Sequence, residues 1–477
     1  MRKYGLFIDG KWVETEEEIK LVNKINGEVE ALFSVARKEE VSQAVEGARA
    51  ALAYPIEPYR RYEILMAAAK LFEREEAQLA HALTQETGKP IREARGEVQR
   101  AIQTLILSAE EAKRVKGEMV PLAGAPACGQ RVAYTKRVPV GIVCAITPFN
   151  FPLNLACHKL GPALAAGNAV VFKPSSLTSL SAVMICKIFE EAGLPRGYLS
   201  LLTGQGKELG DLLIADKRID FYSFTGSAAV GKKLRDKVGL RRISLELGSN
   251  AANIVHHDAD IDKTAALCTK YAFANAGQVC ISCQRVYVHK DVYESFCRAA
   301  IAATKLIVGG DPFDEKTDLG PMISEAEAVR AEEWIHEAVQ SGAKVLLGGH
   351  RQGAYLEPTI LTDVQASMKV VSREIFAPVF SVIPYNTIDE AIDAVNDSVY
   401  GLQAGVFTGS LEIAHLCAEK LQVGGVIIND SATFRTDNMP YGGVKESGIG
   451  HEGPEYAVRE MTEERLVVWN FTGVRPF

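Results

Sequence analysis

Two cysteines three residues apart, a carboxylate closing an apolar strand and an amide between prolines are the side chains here with chemistry to offer. Cys280 and Cys283 stand in FANAGQVCISCQR, from Phe273 to Arg285. As metal ligands they would need a second pair, or histidines at ligand spacing, and none follows; the nearest histidine, His289, lies in a strand-like run. As a redox pair they would open a helix just after a sheet strand, whereas the preceding DKTAALCTKYAFANAGQ has helical character. One nucleophile with a neighbour, or two packing cysteines, are the readings left. Asn150 in TPFNFP could serve as an oxyanion donor, or be an ordinary turn residue. Glu246 in LELGSN and Glu374 in REIFAPVF are carboxylates in apolar surroundings, where charge needs a partner or a role. Lys173 closes the run AVVFKPS, where open α/β sheets bind ligands.

The elements that must position these groups have a clear rhythm. GIVCAITP, AVVFKPS, YLSLLTG, DFYSFTGS and RRISLELG read as buried strands. Helical segments separate them, among them SLSAVMICKIFEEAGL with Gly193 as its stop signal. Strands alternating with helices imply right-handed βαβ units and a parallel sheet covered on both faces. Residues from about 38 to 117 read as consecutive helices, and GQRVAYTKRVPVG as a half-exposed antiparallel strand. A second alternating region follows residue 250, with RVYVHK, EIFAPVFSVIPY, AGVFTG and GGVIIND as its strands. The expected fold class is α/β, with two doubly wound parallel-sheet domains and a small β element. Two strand-to-helix turns invite a nucleotide. Gly204, Gly206 and Gly210 miss the GxGxxG spacing by one residue, and Gly226 with Ser227 could seat a pyrophosphate or simply end a strand and cap a helix.

Composition narrows the class. A chain of 477 residues is too long for one core, and 47% hydrophobic with 24% charged residues is an ordinary globular balance. The net charge of −7 is dispersed, with no basic cluster for nucleic acid or a membrane surface. MRKYGLFIDGKWVE lacks the character of a signal or transit peptide, and no apolar run nears the roughly 20 residues that span a bilayer. Nine scattered cysteines argue against a disulfide framework and for a reducing, cytoplasmic setting. No metal is expected.

TPFNFP, FKPSS, FTGS, LELG, GQVC, EIFAPV and YGGVKESG occur in the order and spacing of the aldehyde dehydrogenase superfamily, which the chain resembles from FIDGKWV to the C-terminal strand. INDSATFRTDNMPYGG and LELGSNAA look most like the lactaldehyde dehydrogenase branch, which has non-phosphorylating glyceraldehyde-3-phosphate dehydrogenases among its relatives. The resemblance implies Cys280 as nucleophile, Asn150 as oxyanion donor and Glu246 as general base. It implies NADP or NAD bound by Thr147, Pro148, Phe149, Lys173, Ser176, Gly206, Phe224, Thr225, Gly226, Ser227, Leu247, Glu374 and Phe376. It also implies a cofactor-binding domain at 1–117 and 139–247, a catalytic domain at 248–455, and an oligomerisation arm at 118–138 and 456–477 that makes a homodimer or homotetramer. In the implied reaction the Cys280 thiolate adds to an aldehyde, hydride leaves to the nicotinamide, and Glu246 activates the water that releases the acid.

Departures from the family pattern bear on cofactor and substrate. Ser249 and Asn250 replace the usual Gly and Lys beside the base. Ser176 stands where many NAD-selective members carry Glu, which leaves room for a 2′-phosphate and predicts that NADP is accepted. Arg100 matches a substrate-phosphate arginine, or else is a helix-surface residue paired to Glu97 or a nearby acid; Arg435 lies in a loop that could reach the same pocket. Val279 and Phe151 replace an arginine and a tyrosine of the phosphate-binding enzymes. The expected substrate is a short hydroxylated aldehyde, lactaldehyde first, with glyceraldehyde 3-phosphate or another anionic aldehyde or semialdehyde as the alternative. A coenzyme A-acylating enzyme would lack the base at Glu246, a silent scaffold would lack the nucleophile, and a phosphorylating enzyme would pair its cysteine with a histidine.

Overall fold

Continuous apolar runs make strands buried on both faces, and they form the middle of two sheets. The computed structural model describes residues 2–126 and 128–471; residues 472–477, the end of the expected second arm segment, lie outside the described residues. The first sheet has eight strands in the order Gly448–Ile449, Arg242–Glu246, Phe221–Thr225, Ile142–Ile146, Ala169–Lys173, Leu199–Leu201, Leu6–Ile8 and Lys11–Val13. Its five central strands run parallel, and the outer three are antiparallel to their neighbours. Register decides what this sheet presents at its carboxyl edge: Ile146 lies beside Lys173 and Phe224, and Thr225 beside Glu246. Crevices at such edges are where open α/β sheets take ligands.

The second sheet has seven strands, in the order Lys344–Leu347, Thr359–Thr362, Val379–Tyr385, Arg285–His289, Ala252–Val255, Gln403–Phe407 and Gly425–Ile428. All neighbours in it are parallel except the first pair. The strand expected from Glu374 onward begins only at Val379. Phe376 adopts a left-handed φ of 50°, and Pro378 has no N–H to give a ladder, so Glu374 to Pro378 form an irregular approach. The three-stranded sheet of Arg2–Tyr4, Val29–Ser34 and Glu18–Val22 was not foreseen.

Helices Pro58–Arg74, Glu76–Thr87 and Ile91–Ala112 precede the alternating region, as the sequence suggests. Helix Asn154–Ala166 is buried at every residue, including His158 and Lys159. Its first turn has the Glu97 carboxylate as its cap, which accepts the N–H groups of Leu153 at 2.9 Å and Asn154 at 3.1 Å. Arg131–Pro139 pairs antiparallel with Thr462–Asn470 and with Met119–Val120, forming a ribbon apart from both large sheets. Gly448–Ile449, on the catalytic side of the boundary suggested by sequence, extends the first sheet, and helix Pro454–Glu460 follows it.

Candidate active site

A sharp turn delivers Cys280. Asn275, Ala276 and Gly277 are successively left-handed, and a Cβ at Gly277 would overlap the Ala377 carbonyl, so only glycine fits there. Gln278 braces the turn: its side chain donates to the Asn275 carbonyl at 3.0 Å and accepts the Ile323 N–H at 2.9 Å. Cys280 then sits half-buried among Val279, Ile281, Leu402, Tyr441 and Phe151. Its Sγ lies 2.7 Å from the Tyr441 hydroxyl. Burial pushes the thiol up to about 11, while the Tyr441 hydrogen bond and the Arg435 charge pull it down. Cys283 is core: it is fully buried, and the Asn253 side-chain amide donates to its Sγ at 2.9 Å. Sequence left the pair as nucleophile and neighbour or as packing residues; the two thiols have quite different surroundings.

Asn150 bridges to the same turn. Its side-chain amide donates to the Gln278 carbonyl at 2.9 Å, which uses one N–H and leaves the other. The backbone carbonyl of Asn150 accepts from Lys89 Nζ at 2.8 Å and from the Asn275 side-chain amide at 3.1 Å. Lys89 is itself buried against Glu97 at 2.5 Å and lies 4.1 Å over the Phe151 ring. The amide is therefore fixed in place next to the turn that carries Cys280.

Glu246 is 3% exposed, and neither of its carboxylate oxygens has a hydrogen-bond partner. Burial raises its pKa well above the usual carboxylate range; the Glu452 charge adds to the rise, and Lys159 and Arg435 oppose it. Glu452, equally buried, is held by Lys159 at 3.1 Å, Arg435 at 2.9 Å and Thr225 Oγ1 at 3.3 Å. Burial works against its charge, yet Lys159, Arg435 and His158 outweigh it and hold Glu452 far below the ordinary range.

Arg435 is buried, lies 3.7 Å from the centroid of the Tyr441 ring and keeps an unpartnered Nε. Arg100 does not pair with Glu97. It grips Asp437 with two bonds, at 2.8 and 3.2 Å, because Glu97 already serves Lys89 and the helix start. Asp437 also accepts from Asn154 at 3.1 Å and from His158 Nε2 at 2.9 Å. His158 is therefore engaged elsewhere, and the partner of Cys280 is a phenol.

The groups at the first sheet's edge fit a dinucleotide. Lys173 is buried with one bond, 3.3 Å to the carbonyl of Pro174, and burial lowers it to about 8. Thr147 Oγ1 is buried with no partner. Ser227 caps helix Ala228–Val238, its hydroxyl accepting the Val230 N–H, and Phe224, Thr225 and Gly226 lead into that helix. Gly206 opens helix Gly206–Ala215, and Ser176 is half-buried near the end of the Lys173 strand. Glu374 accepts the Ser249 N–H at 3.0 Å and is raised by burial to about 7; a Cβ on Gly248 would collide with this carboxylate. Leu247 donates its N–H to Ser447, and Phe149 meets Phe376 edge-on at 5.8 Å. Asn250 is a tie between elements: it donates to the Val371 carbonyl at 2.8 Å and accepts from Ser398 at 2.9 Å.

Tyr441, Lys159, Glu452, Asp437 and Lys89 were not foreseen as site residues. Lys159 carried a signal, a charge inside the apolar run ACHKLGPALAAG, and Tyr441 stood within YGGVKESG. Among the described residues no helix is long and apolar enough to cross a membrane, and no cluster of His, Cys, Asp or Glu could hold a metal ion.

A family model described as the Aldehyde dehydrogenase family matches residues 12–467. A 3-sulfolactaldehyde dehydrogenase of Priestia aryabhattai is 52% identical over 470 residues, covering 98% of this chain and 98% of its own. A lactaldehyde dehydrogenase of Methanococcus vannielii is 40% identical over 469 residues, covering 97% of this chain and 99% of its own. The crystal structure of a glyceraldehyde-3-phosphate dehydrogenase from Methanocaldococcus jannaschii complexed with NADP is similar at a TM-score of 0.92 and 40% identity, covering 95% of this chain and 100% of that one.

Proposed function

The chain belongs to the aldehyde dehydrogenase family, an NAD(P)-dependent oxidoreductase acting on aldehydes, and from that premise we propose that it oxidises a short 2-hydroxyaldehyde bearing an anionic group. The observation that carries this reading is Arg435, a buried guanidinium whose charge reaches Cys280 and whose Nε–H is unspent. A buried, unused donor on a fixed cation suits a sulfonate, phosphate or carboxylate oxygen. Arg100 adds positive charge beside Asp437, while Phe151 and Val279 give the pocket an apolar wall. The 3-sulfolactaldehyde acted on by the Priestia relative has this chemistry. Lactaldehyde itself is the second reading, favoured because Glu452 and Asp437 already neutralise both arginines.

In the mechanism, Cys280 as thiolate adds to the aldehyde carbon and the carbonyl oxygen becomes an alkoxide. The free N–H of Asn150 stabilises that oxygen, one such donor being worth about 3 kcal/mol. The bound nicotinamide supplies the hydride acceptor. Cys280 is then a thioester, and Glu246, whose unpartnered carboxylate has a raised pKa, takes a proton from the attacking water. The acid leaves, and the Cys280 thiolate is restored. Lys173 and Thr147 would hold ribose or phosphate oxygens, Ser176 leaves space for a 2′-phosphate, and Glu374 and Phe376 would contact the nicotinamide riboside.

We read residues 1–117 and 139–247 as the cofactor-binding unit and 248–455 as the catalytic unit. In the ribbon, Leu466, Val468, Trp469 and Phe471 are exposed along one edge strand and its end, which supports pairing with a second copy in a homodimer or homotetramer. Nine free cysteines support a cytoplasmic location.

The test is the initial rate of reduced-nicotinamide formation with lactaldehyde, 3-sulfolactaldehyde and glyceraldehyde 3-phosphate, each against NAD and NADP, with Cys280→Ala as blank. An anionic aldehyde preferred at least tenfold in kcat/KM, with that preference lost in Arg435→Gln, supports the reading. Equal efficiencies with lactaldehyde overturn the anionic part. An NADP affinity a hundredfold weaker than that for NAD overturns the reading of Ser176.

A further inference from the structure

The phenol of Tyr441 has no place in the mechanism above, yet its hydroxyl lies 2.7 Å from the Cys280 sulfur. The ring is not free to move away. Its backbone exchanges hydrogen bonds with Glu452, at 3.1 and 2.7 Å, and it packs with Val279, Ile281 and Leu402. The Arg435 guanidinium lies on its face, 3.7 Å from the centroid, and is itself anchored to Glu452. We propose that Tyr441 is a further catalytic residue, a fixed donor that holds the Cys280 thiolate for attack, with Arg435 on its ring strengthening the donation.

The chemistry fixes the direction of the bond. With a neutral thiol, either sulfur or oxygen can donate. Once the thiol proton is lost only the phenol has a hydrogen to give, so the O–H···S⁻ bond favours the thiolate. A cation above the ring draws electron density from it and makes the hydroxyl a better donor. No proton is transferred: burial holds the phenol well above its ordinary pKa, so it stays a neutral donor.

Such a bond has two opposing effects. It enlarges the thiolate fraction, and it reduces the intrinsic reactivity of each thiolate. A hydrogen bond to a charged acceptor shifts a pKa by about one unit or more. Thiolate nucleophilicity follows pKa with a Brønsted slope of roughly 0.45, so one unit changes it only about threefold. Where the thiol pKa lies above the working pH, the tenfold gain in thiolate outweighs the threefold loss. Burial pushes Cys280 in that direction, so the Tyr441 bond accelerates attack at neutral pH.

The inference rests on Cys280 being the nucleophile, which the Cys280→Ala blank tests separately. The experiment is the pH profile of iodoacetamide alkylation at Cys280, read on its tryptic peptide by mass spectrometry, for the wild type and Tyr441→Phe with and without NADP. The expected result is a rise of about one unit in the apparent pKa, with two consequences. Below both pKa values the variant reacts about threefold slower, and above both it reacts about threefold faster. A merely structural role would not make the two profiles cross. Superimposed profiles, or a variant slower at every pH, overturn the proposal. Should Tyr441→Phe fail to fold, a more acidic difluorotyrosine placed at 441 keeps the shape; it must lower the apparent pKa, and an unchanged value overturns the proposal equally. Arg435→Gln is expected to raise the pKa by less than Tyr441→Phe does.

Discussion

The strand end carrying Glu246 and the loop carrying Glu452 place two equally buried carboxylates in one neighbourhood, and the molecule treats them oppositely. Glu452 has a lysine, an arginine and a threonine hydroxyl on its oxygens, while Glu246 has nothing. Burying an unpaired carboxylate is costly, so the protein keeps Glu246 at a cost in stability and fastens Glu452 as a brace. The same contrast separates Lys173, with a single bond to the adjoining carbonyl, from Lys89, which has Glu97 and the Asn150 carbonyl. In each pair the less satisfied member, Glu246 or Lys173, is the one with work proposed for it, and the satisfied member, Glu452 or Lys89, holds its neighbours in place.

Amide isosteres break the comparison most directly. Glu246→Gln is expected to lose about 10²- to 10⁴-fold in kcat, the usual worth of a positioned base, and to melt at a temperature no lower than the wild type. Glu452→Gln should do the reverse, costing about 3–5 kcal/mol of stability by leaving Lys159 and Arg435 without their anion. Thermal melts beside steady-state rates check both. Equal melting points for the two variants would dissolve the contrast.

Asn150→Ala comes next, with kcat reduced about 10²- to 10³-fold and the KM for NADP unchanged. An effect on cofactor KM alone would make Asn150 a scaffold residue.

Titration sharpens the comparison further. Glu246 has a folded pKa raised above its unfolded value, so its contribution to stability is greatest when it is protonated at low pH and declines as pH rises through the folded pKa. Glu452 has a depressed folded pKa, so its contribution is present above the unfolded value near 4.5 and is lost as pH falls. Urea melts carried from pH 6 down to about pH 3, across the unfolded value, should therefore show a shallower acid loss of stability in Glu452→Gln than in the wild type.

Lys173 gives the smallest effect. Its folded pKa of about 8 lies below the ordinary 10.5, so the cost of burying its charge disappears as pH rises between those values. Cofactor binding that needs the ammonium runs the other way. NADP affinity should weaken up to about tenfold per unit above pH 8, with proton uptake on binding, and Lys173→Met should be flat. Calorimetry in two buffers of different ionisation heat reads the uptake directly.

The fold was legible where burial on both faces leaves unbroken apolar runs, as in GIVCAITP and AVVFKPS. It was illegible in the short strands near the N-terminus, where Arg2–Tyr4 buries no residue fully and Glu18–Val22 mixes exposed and buried ones. Cys280, Asn150, Glu246 and Lys173 stood out because each is a polar residue at the end of an apolar run or in a constrained turn. Their partners did not, since Tyr441 and Glu452 reach Cys280 and Lys159 across 161 and 293 residues of sequence. Arg100 shows the limit plainly: Glu97 lies one helical turn away on its own helix, but Asp437, 337 residues on, has the better geometry.

The most direct test of the central claim is the first turnover of Glu246→Gln, mixed rapidly with saturating NADP and aldehyde. A cysteine thioester that waits on Glu246 for water predicts a burst of one reduced nicotinamide per site, then a slow steady rate, with the acyl group found by mass on the Cys280 peptide. A progress curve with no burst and an unmodified Cys280 peptide would contradict it.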